Sequence, residues 1–172
     1  MRRRYPRPAR AGFVLADDGA EVLSPEMFRE FSVPYDNRLY DALAAGLADG
    51  RSMHMCGRID HLLPILLDEE RITSLWGFGE AVDPAQVAAA VGSRCWAQGN
   101  VSPVLLMQGS PQEIRQAARR APAAFARRGG LILSDGYNAS PGTPLGSIAA
   151  LVEAAEAWGP MGPEAQRREA DV

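Results

Sequence analysis

The strongest constraint on the fold of this 172-residue chain is a repeated pairing of a short apolar run with a helix start. Apolar or β-branched runs lie at residues 12–16, 52–56, 72–76, 94–98 and 131–134. Four helix starts place a cap residue before proline: Ser24-Pro25, Asp83-Pro84, Ser110-Pro111 and Thr143-Pro144. Proline is preorganised for the first helical position, and the preceding side chain accepts an unpaired backbone N–H. The pattern predicts five strands that alternate with helices.

Helices are predicted over residues 25–48 with a bend at Pro34, and over 60–68, 84–91, 111–127 and 144–158. Ser110 and Glu113 have the spacing of a capping box. Glycines stand where helix C-caps belong, at Gly50, Gly92, Gly129 and Gly159. Five consecutive βα units imply a parallel sheet, because each helix supplies the crossover between neighbouring strands. Periodicity leaves open whether this α/β sheet is doubly wound or part of a barrel.

Composition excludes several classes of protein. The net charge of −3 provides no basic field for nucleic acid, and no apolar run approaches the roughly 18 residues of a membrane span. Two cysteines cannot form a disulfide scaffold, so a reducing cytoplasm is the expected location. Lysine is absent, which excludes Schiff-base chemistry on this chain. Residues 1–11, rich in arginine and proline, and residues 160–172 are predicted to be disordered, which leaves 12–159 as the folded domain.

The segment Met53-His54-Met55-Cys56-Gly57 carries the sharpest chemical signal. On a strand, residues two apart share a face, so His54 and Cys56 project together while the two methionines pack against helices. Imidazole and thiolate at the carboxyl end of a parallel strand make half of a zinc site. The alternative is that Cys56 is a small buried hydrophobe and His54 an interior histidine.

Other strand ends also carry polar residues. Asp17 and Asp18 follow the first strand, where they can bind substrate, act as a general base or simply lie in solvent. Asn100 and Asp135 end the fourth and fifth strands. Because reactive residues gather at the carboxyl ends of parallel strands, Asn100 and Asp135 are predicted substrate contacts.

These motifs, taken in order, resemble the uroporphyrinogen decarboxylase superfamily. They are Ser24-Pro25-Glu26-Met27-Phe28, Val33-Pro34-Tyr35, His54-x-Cys56-Gly57, Gln98-Gly99-Asn100-x-x-Pro103, Gly130 with Gly136, and Thr143-Pro144. The resemblance runs from about Gly12 to Trp158. It implies a partial TIM (β/α)₈ barrel of about five units, and it adds Ser24 to the predicted substrate contacts.

The superfamily implies two kinds of activity on small molecules. One branch decarboxylates uroporphyrinogen, a tetrapyrrole of porphyrin biosynthesis, without a cofactor. The other branch uses zinc to transfer a methyl group between a corrinoid and a thiol. A His-x-Cys pair at this strand is typical of the methyltransferase branch. The resemblance therefore makes His54 and Cys56 the expected metal ligands and a corrinoid-bound methyl group the expected co-substrate.

One departure from the family pattern concerns the last loop. The methyltransferases carry a further zinc-ligating cysteine there and the decarboxylases a histidine, whereas this chain has Tyr137. We assign Tyr137 to the catalytic set with Asp17 and Asp18. A third metal ligand would then come from Asp17, Asp18, Glu80 or Asp135.

A second departure concerns size. Five units are fewer than the eight of a complete barrel, which takes about 250 residues. The resemblance places them in the carboxyl-terminal part of the barrel, which would leave open strand edges at residues 12–16 and 131–134. We therefore expect a truncated or split product: an inactive fragment, a homo-oligomer, or one half of a two-chain barrel.

Overall fold

Five parallel strands form one sheet, and their order in the sheet follows their order in the chain. The computed structural model describes residues 12–44, 50–92, 94–125 and 130–158. The strands are β1 (Phe13–Ala16), β2 (Arg51–His54), β3 (Ser74–Phe78), β4 (Trp96–Val101) and β5 (Leu131–Asp135). Each pairs in parallel with the next, as predicted. The predicted disordered ends, residues 1–11 and 160–172, lie outside the described residues.

Helices follow every strand. A 3₁₀ helix covers Asp18–Val22. The α-helices are α1 (Pro25–Phe31), α2 (Val33–Leu43), α3 (Leu63–Asp68), α4 (Pro84–Val91), α5 (Pro103–Gln108), α6 (Pro111–Ala117), α7 (Arg120–Phe125) and α8 (Leu145–Trp158). None of these helices is long and apolar enough to cross a membrane.

The single bent helix predicted over residues 25–48 is wrong, because the chain forms two helices there with a break at Ser32. Pro34 lies in the first turn of α2, where its missing N–H leaves no hydrogen bond unmade. In the middle of one long helix the same proline would remove a hydrogen bond and clash with the preceding turn. The chain therefore starts a new helix at this point. The predicted C-cap at Gly50 is also wrong, since α2 ends at Leu43.

Three of the four predicted cap–proline signals stand directly before a helix, at α1, α4 and α6, and α8 begins one residue after the fourth. The α4 helix covers the predicted residues, and Gly92 follows it with a positive φ of 54°. The capping box of Ser110 and Glu113 is present. The helix predicted over 111–127 is instead divided into α6 and α7. The α5 helix was missed, although Ser102-Pro103 repeats the cap–proline sequence. The other predicted C-cap positions, 129 and 159, lie outside the described residues.

The main core lies between one face of the sheet and the helices. Met53, Met55, Leu75 and Ala97 are almost completely buried in it, as the alternation along the strands predicts. A second buried cluster joins Val101 to residues of α5, α6 and α8. Burial of these side chains is what holds the helices on this face.

Among the residues that the structure describes, the opposite face of the sheet is open. The parallel register places one row of side chains across all five strands: Ala16, His54, Trp76, Gln98 and Ile132. In this row, Trp76 is 39% and Ile132 48% exposed. Within the described residues, β1 and β5 each pair with a single strand, so both outer edges of the sheet are unpaired. His54 projects from this open face at the carboxyl end of β2.

Candidate functional site

Three potential metal ligands meet at the carboxyl edge of the sheet. One ligand atom each from Asp18, His54 and Cys56 lies within 4.8 Å of the other two. His54 is the last residue of β2, and Cys56 follows two residues later. Asp18 begins the 3₁₀ helix after β1. The neighbouring carboxyl ends of two parallel strands thus bring the three side chains together.

One carboxylate oxygen of Asp18 links the other two residues. The Cys56 backbone N–H donates to Asp18 Oδ1 at 3.1 Å, and His54 Nε2 lies 3.4 Å from the same atom. Burial opposes the charge on Asp18, but the hydrogen bonds with Cys56 outweigh it and hold the pKa of Asp18 below its ordinary value. The Asp18 carboxylate is therefore ionised at neutral pH.

The Cys56 thiol, in contrast to the Asp18 carboxyl, is favoured in its neutral form. Burial, followed by the negative charge and hydrogen bonding of Asp18, raises the pKa of Cys56 to about 11. A thiol with this pKa is a poor nucleophile at neutral pH when no cation is nearby. A bound cation reverses the balance, because it favours the thiolate and offsets the carboxylate charge. Cys56 is thus better suited to the role of a metal ligand than to that of a free catalytic cysteine.

The imidazole of His54 occupies space that a glycine leaves free. A Cβ atom on Gly77 would lie 2.6 Å from His54 Cε1 and 2.9 Å from Nδ1. Gly77 also has a positive φ of 82°, at the irregularity between Trp76 and Phe78 in β3. The glycine therefore allows both the bulge and the ring position, with Nε2 turned towards Asp18.

The three side chains supply an imidazole nitrogen, a thiolate sulfur and a carboxylate oxygen, which are the ligand types that zinc takes in proteins. Three protein ligands also leave one tetrahedral position for a substrate or water. The chemistry of this donor set fits zinc. It does not fit magnesium or calcium, which prefer oxygen ligands.

Glu21 lies beside the site and was missed by sequence reasoning. Its carboxylate accepts the Arg58 N–H at 2.8 Å, and a Cβ on Gly57 would lie 1.6 Å from Glu21 Oε2. Residues three apart eclipse on a 3₁₀ helix, so Asp18 and Glu21 both face the turn after Cys56. The spacing of the two acids was visible in the sequence, but the 3₁₀ helix that aligns them was not predicted.

Tyr137 reaches the same end of the sheet from the loop after β5. A Cβ on Gly79 would lie 2.5 Å from the Tyr137 hydroxyl oxygen, so the phenol lies directly over that glycine. Burial raises the pKa of Tyr137, with smaller contributions from Glu80 and Cys56. The hydroxyl therefore stays neutral and can donate a hydrogen bond.

Asp17 lies apart from the three potential ligands. Its Oδ2 accepts a long hydrogen bond of 3.4 Å from the Ser32 hydroxyl. Burial raises the pKa of Asp36 and Glu70, and the charge of Asp17 adds a smaller contribution to both. These contacts place the Asp17 carboxylate against the helices. Of the two adjacent acids, the structure brings Asp18 to the His54–Cys56 pair.

The predicted substrate contacts have structural partners of their own. Ser24 caps α1 by accepting the Met27 N–H at 3.2 Å. Asn100 is buried, and its amide donates to the carbonyls of Gly79 and Val82 at 3.4 Å each. Asp135 is the half-buried last residue of β5. These contacts explain why Ser24 and Asn100 are useful to the fold, and their part in substrate binding stays a prediction.

The chain matches the family model described as uroporphyrinogen decarboxylase (URO-D) over residues 10–158. This match covers most of the sequence, and the chain belongs to that family.

Two curated relatives have different names. The uroporphyrinogen decarboxylase of Xanthomonas campestris pv. campestris is 30% identical over 146 residues, which are 81% of this chain and 41% of the relative. The methylcobamide:CoM methyltransferase MtaA of Methanosarcina barkeri is 29% identical over 148 residues, which are 80% of this chain and 38% of the relative. The chain thus spans about two fifths of the length of these relatives. Because the two relatives are about equally similar to this chain, sequence identity does not distinguish a decarboxylase from a methyltransferase.

A solved structure, described as a methyltransferase from Methanosarcina mazei, has the same fold. The TM-score is 0.69 at 24% identity, and the match covers 84% of this chain and 41% of that one. Together with the five parallel units, this match confirms the predicted fold class, a partial barrel of the TIM type.

Proposed function

We propose that this chain is a methyltransferase-type domain of the uroporphyrinogen decarboxylase superfamily in which Asp18, His54 and Cys56 hold zinc. The proposed reaction moves a methyl group between a corrinoid and a thiol. The observation that carries the proposal is the approach of the three ligand atoms to within 4.8 Å of one another. Decarboxylation needs no such set, whereas the resemblance associates a His-x-Cys pair with the methyltransferase branch.

In this proposal, bound zinc would supply the positive charge that favours the thiolate form of a substrate thiol. Residues of the chain would hold the metal ligands in place. Asp18 holds the Cys56 backbone through its 3.1 Å hydrogen bond, and Gly77 leaves the His54 ring its place. Tyr137 offers a neutral hydroxyl from the loop after β5, with which it can orient a polar group of the substrate.

Metal content is the direct test. We expect the purified 172-residue chain to bind about one zinc ion. The His54→Ala/Cys56→Ala double variant should lose at least about tenfold in zinc affinity, since even residues that only support metal ligands contribute this much. The matched control is His61→Ala/Cys95→Ser, which also removes one histidine and one cysteine but leaves the site intact. Equal zinc content in the two double variants would contradict the proposal.

The role of Asp18 can be tested separately from the roles of His54 and Cys56. Asp18→Asn keeps an oxygen that can accept the Cys56 N–H but removes the negative charge. We expect weaker zinc binding with an unchanged thermal midpoint in the metal-free chain. If the metal-free chain loses stability while zinc affinity stays the same, Asp18 is structural and the proposed ligand set is wrong.

Uroporphyrinogen decarboxylation is a second candidate, favoured by the name and 30% identity of the Xanthomonas campestris relative. Here carboxylates such as Asp18, together with Tyr137, would contact a tetrapyrrole, and metal would be unnecessary. The appearance of decarboxylated porphyrin from supplied uroporphyrinogen, unaffected by a chelator, would favour this candidate over methyl transfer.

A further inference from the structure

Glu21 brings a negative charge to the candidate zinc site without being one of the proposed ligands. It lies three residues after Asp18 on the 3₁₀ helix, so both carboxylates face the turn after Cys56. Glu21 is half-buried, and water screens its charge less than it would screen the charge of a fully exposed side chain. Glu21 can therefore influence which substrate binds beside Cys56.

The turn after Cys56 fixes the position of the Glu21 carboxylate. Its Oε2 accepts the Arg58 N–H at 2.8 Å. The same oxygen lies 1.6 Å from the place that a Cβ on Gly57 would take, so the carboxylate occupies space that any other side chain would fill. Gly57 also has a positive φ of 80°, which disfavours a side chain at this position. The carboxylate is thus held against the backbone next to Cys56.

The charge of Glu21 reaches two functional groups of the site. Burial is the main cause of the raised pKa of Cys56, and Glu21 adds to it after Asp18. Burial also raises the pKa of Tyr137, and Glu21 contributes there after Glu80 and Cys56. The influence of the Glu21 charge therefore extends from the Cys56 thiol to the Tyr137 hydroxyl.

The arginine side chains do not neutralise Glu21. Arg58, which donates its backbone N–H, has its guanidinium Nε 3.6 Å from Asp60 Oδ1 and is 77% exposed. Arg51 and Arg94 stand at the amino ends of β2 and β4, where each pairs with another acid. None of the ion pairs among the described residues includes Glu21. Within this part of the chain, the carboxyl edge of the sheet beside Cys56 is therefore negative.

Bound zinc would not cancel the charge of Glu21. The thiolate of Cys56 and the carboxylate of Asp18 would balance the two positive charges of the ion, while His54 binds as a neutral imidazole. The ion and its three ligands would then carry no net charge. Glu21 would remain as a negative charge beside the position that the three ligands leave for a substrate.

We propose that Glu21 is a specificity-determining residue, which selects a thiol substrate with a positively charged group over a thiol with a carboxylate. This inference rests on the zinc-dependent methyl transfer proposed above. A cationic group near the reacting sulfur is attracted by the Glu21 carboxylate, whereas an anionic group is repelled. Glu21 acts on the choice of substrate and takes no part in the transfer of the methyl group.

The charge around Cys56 can be measured without zinc. Two methanethiosulfonate reagents, one with a trimethylammonium group and one with a sulfonate, each form a mixed disulfide with Cys56 and release methanesulfinate. Mass spectrometry measures both rates at low salt, with the buried Cys95 replaced by serine in every sample. The cationic-to-anionic rate ratio is divided by the same ratio for 2-mercaptoethanol. We expect the result to exceed one and to fall at least about threefold in Glu21→Gln, as the loss of one nearby charge predicts.

Glu156→Gln is the matched control, because it removes the same charge from an exposed position in the last turn of α8. Its rate ratio should equal that of the parent chain. Glutamine at position 21 keeps an oxygen that can accept the Arg58 N–H, so Glu21→Gln preserves the turn. A ratio at Cys56 equal to that of 2-mercaptoethanol, or one that Glu21→Gln leaves unchanged, would overturn the proposal.

Thiol binding to the zinc-loaded chain tests the selectivity itself. Calorimetric titration compares thiocholine, which carries a quaternary ammonium group, with 3-mercaptopropionate, which carries a carboxylate. We expect Glu21→Gln to lower the preference for thiocholine at least about threefold, and the comparison between variants cancels the intrinsic difference between the two thiols. If neither thiol binds, the proposed function fails together with this inference. If both bind with the same preference in the native chain and in Glu21→Gln, only the charge selection is wrong.

Discussion

At the scale of single residues, the candidate site depends on where side chains are absent as much as on where they are present. Gly77 has no Cβ at the place where the His54 ring lies, 2.6 Å away from the position that a Cβ would take. Its φ of 82° is also a conformation that side chains disfavour. The position of the His54 ring therefore depends on the absence of a side chain at Gly77.

Gly77→Ala should displace the His54 ring and weaken zinc binding. The left-handed backbone of a non-glycine residue adds a stability loss of about 1–3 kcal/mol. Gly19→Ala is the matched control, because nothing lies within 4 Å of its Cβ position. Zinc titration and urea unfolding of both variants measure the two effects. Equal zinc affinity in Gly77→Ala and Gly19→Ala would show that the ring does not need the space.

The carboxyl groups of Asp36 and Glu70 lie together, and burial raises the pKa of both. Glu70 is fully buried, and its carboxyl group lies against that of Asp36. Burial, followed by the charges of Asp36 and Asp17, raises the pKa of Glu70 from 4.5 to about 9. Glu70 is therefore protonated in the folded chain at neutral pH.

Because of its raised pKa, Glu70 makes the free energy of unfolding decrease as the pH rises. Between pH 4.5 and about 9 the folded chain keeps a proton on Glu70 that the unfolded chain releases. The contribution of Glu70 to stability is thus fully present below pH 4.5 and is lost as the pH rises towards 9. Glu70→Gln should remove this loss, so its urea midpoint should exceed that of the native chain by more at pH 8 than at pH 5. The exposed Glu30→Gln variant serves as the control, and a gain at pH 8 no larger than at pH 5 would contradict the assignment.

At the scale of secondary-structure elements, a cap–proline pair stands directly before four helices: α1, α4, α5 and α6. Ser24, Asp83 and Ser110 each accept a backbone N–H of the helix that follows, as their sequence predicts. Ser102 also precedes a proline and a helix but has no side-chain cap hydrogen bond. The signal therefore marks a helix start whether or not the cap bond forms.

The two Ser-Pro starts of α5 and α6 permit a direct comparison of cap energies. Ser110→Ala should lower the free energy of unfolding by about 1 kcal/mol, because it removes a capping box. Ser102→Ala should change it by less than about 0.5 kcal/mol. Urea denaturation of the two variants measures the difference. A larger loss for Ser102→Ala would mean that the capping geometry does not carry the stabilisation.

At the scale of the whole molecule, the sheet has two unpaired edges and one open face within the part of the chain that the structure describes. Val14, Trp76, Trp96 and Ile132 are exposed on that face, where a closed barrel would bury them. The described helices pack on the other face. The described part of the chain therefore exposes both strand edges and apolar surface, a combination that favours association.

The purified chain on its own should consequently run larger than a monomer in size-exclusion chromatography with light scattering. Val14→Lys, which places a charge on β1 beside the open edge, should shift material towards the monomer. Val104→Lys on the exposed surface of α5 is the control with the same substitution and should have no effect. A monodisperse native monomer would argue strongly against an incomplete sheet.

The sequence by itself determined the alternation of five strands with helical segments and the placement of His54 and Cys56 two residues apart at the end of one strand. Both are local properties: apolar runs and cap–proline pairs lie within a few residues, and residues two apart on a strand share a face. The same reasoning could not show which of the two adjacent acids, Asp17 or Asp18, would reach that pair. The sequence analysis also missed Glu21 and the break of the first helix at Ser32. Each depends on the conformation of a turn, which the local sequence pattern does not predict.

Only the tertiary structure decided the third member of the site. The parallel register sets Ala16 beside His54, and the Asp17 N–H then donates to the His54 carbonyl at 3.1 Å. The 3₁₀ turn that follows carries Asp18 to the Cys56 N–H, 38 residues away in sequence. Strand register and turn geometry join segments that are distant in the chain. Local preferences act over a few residues, which is why no sequence pattern near Asp18 could predict this contact.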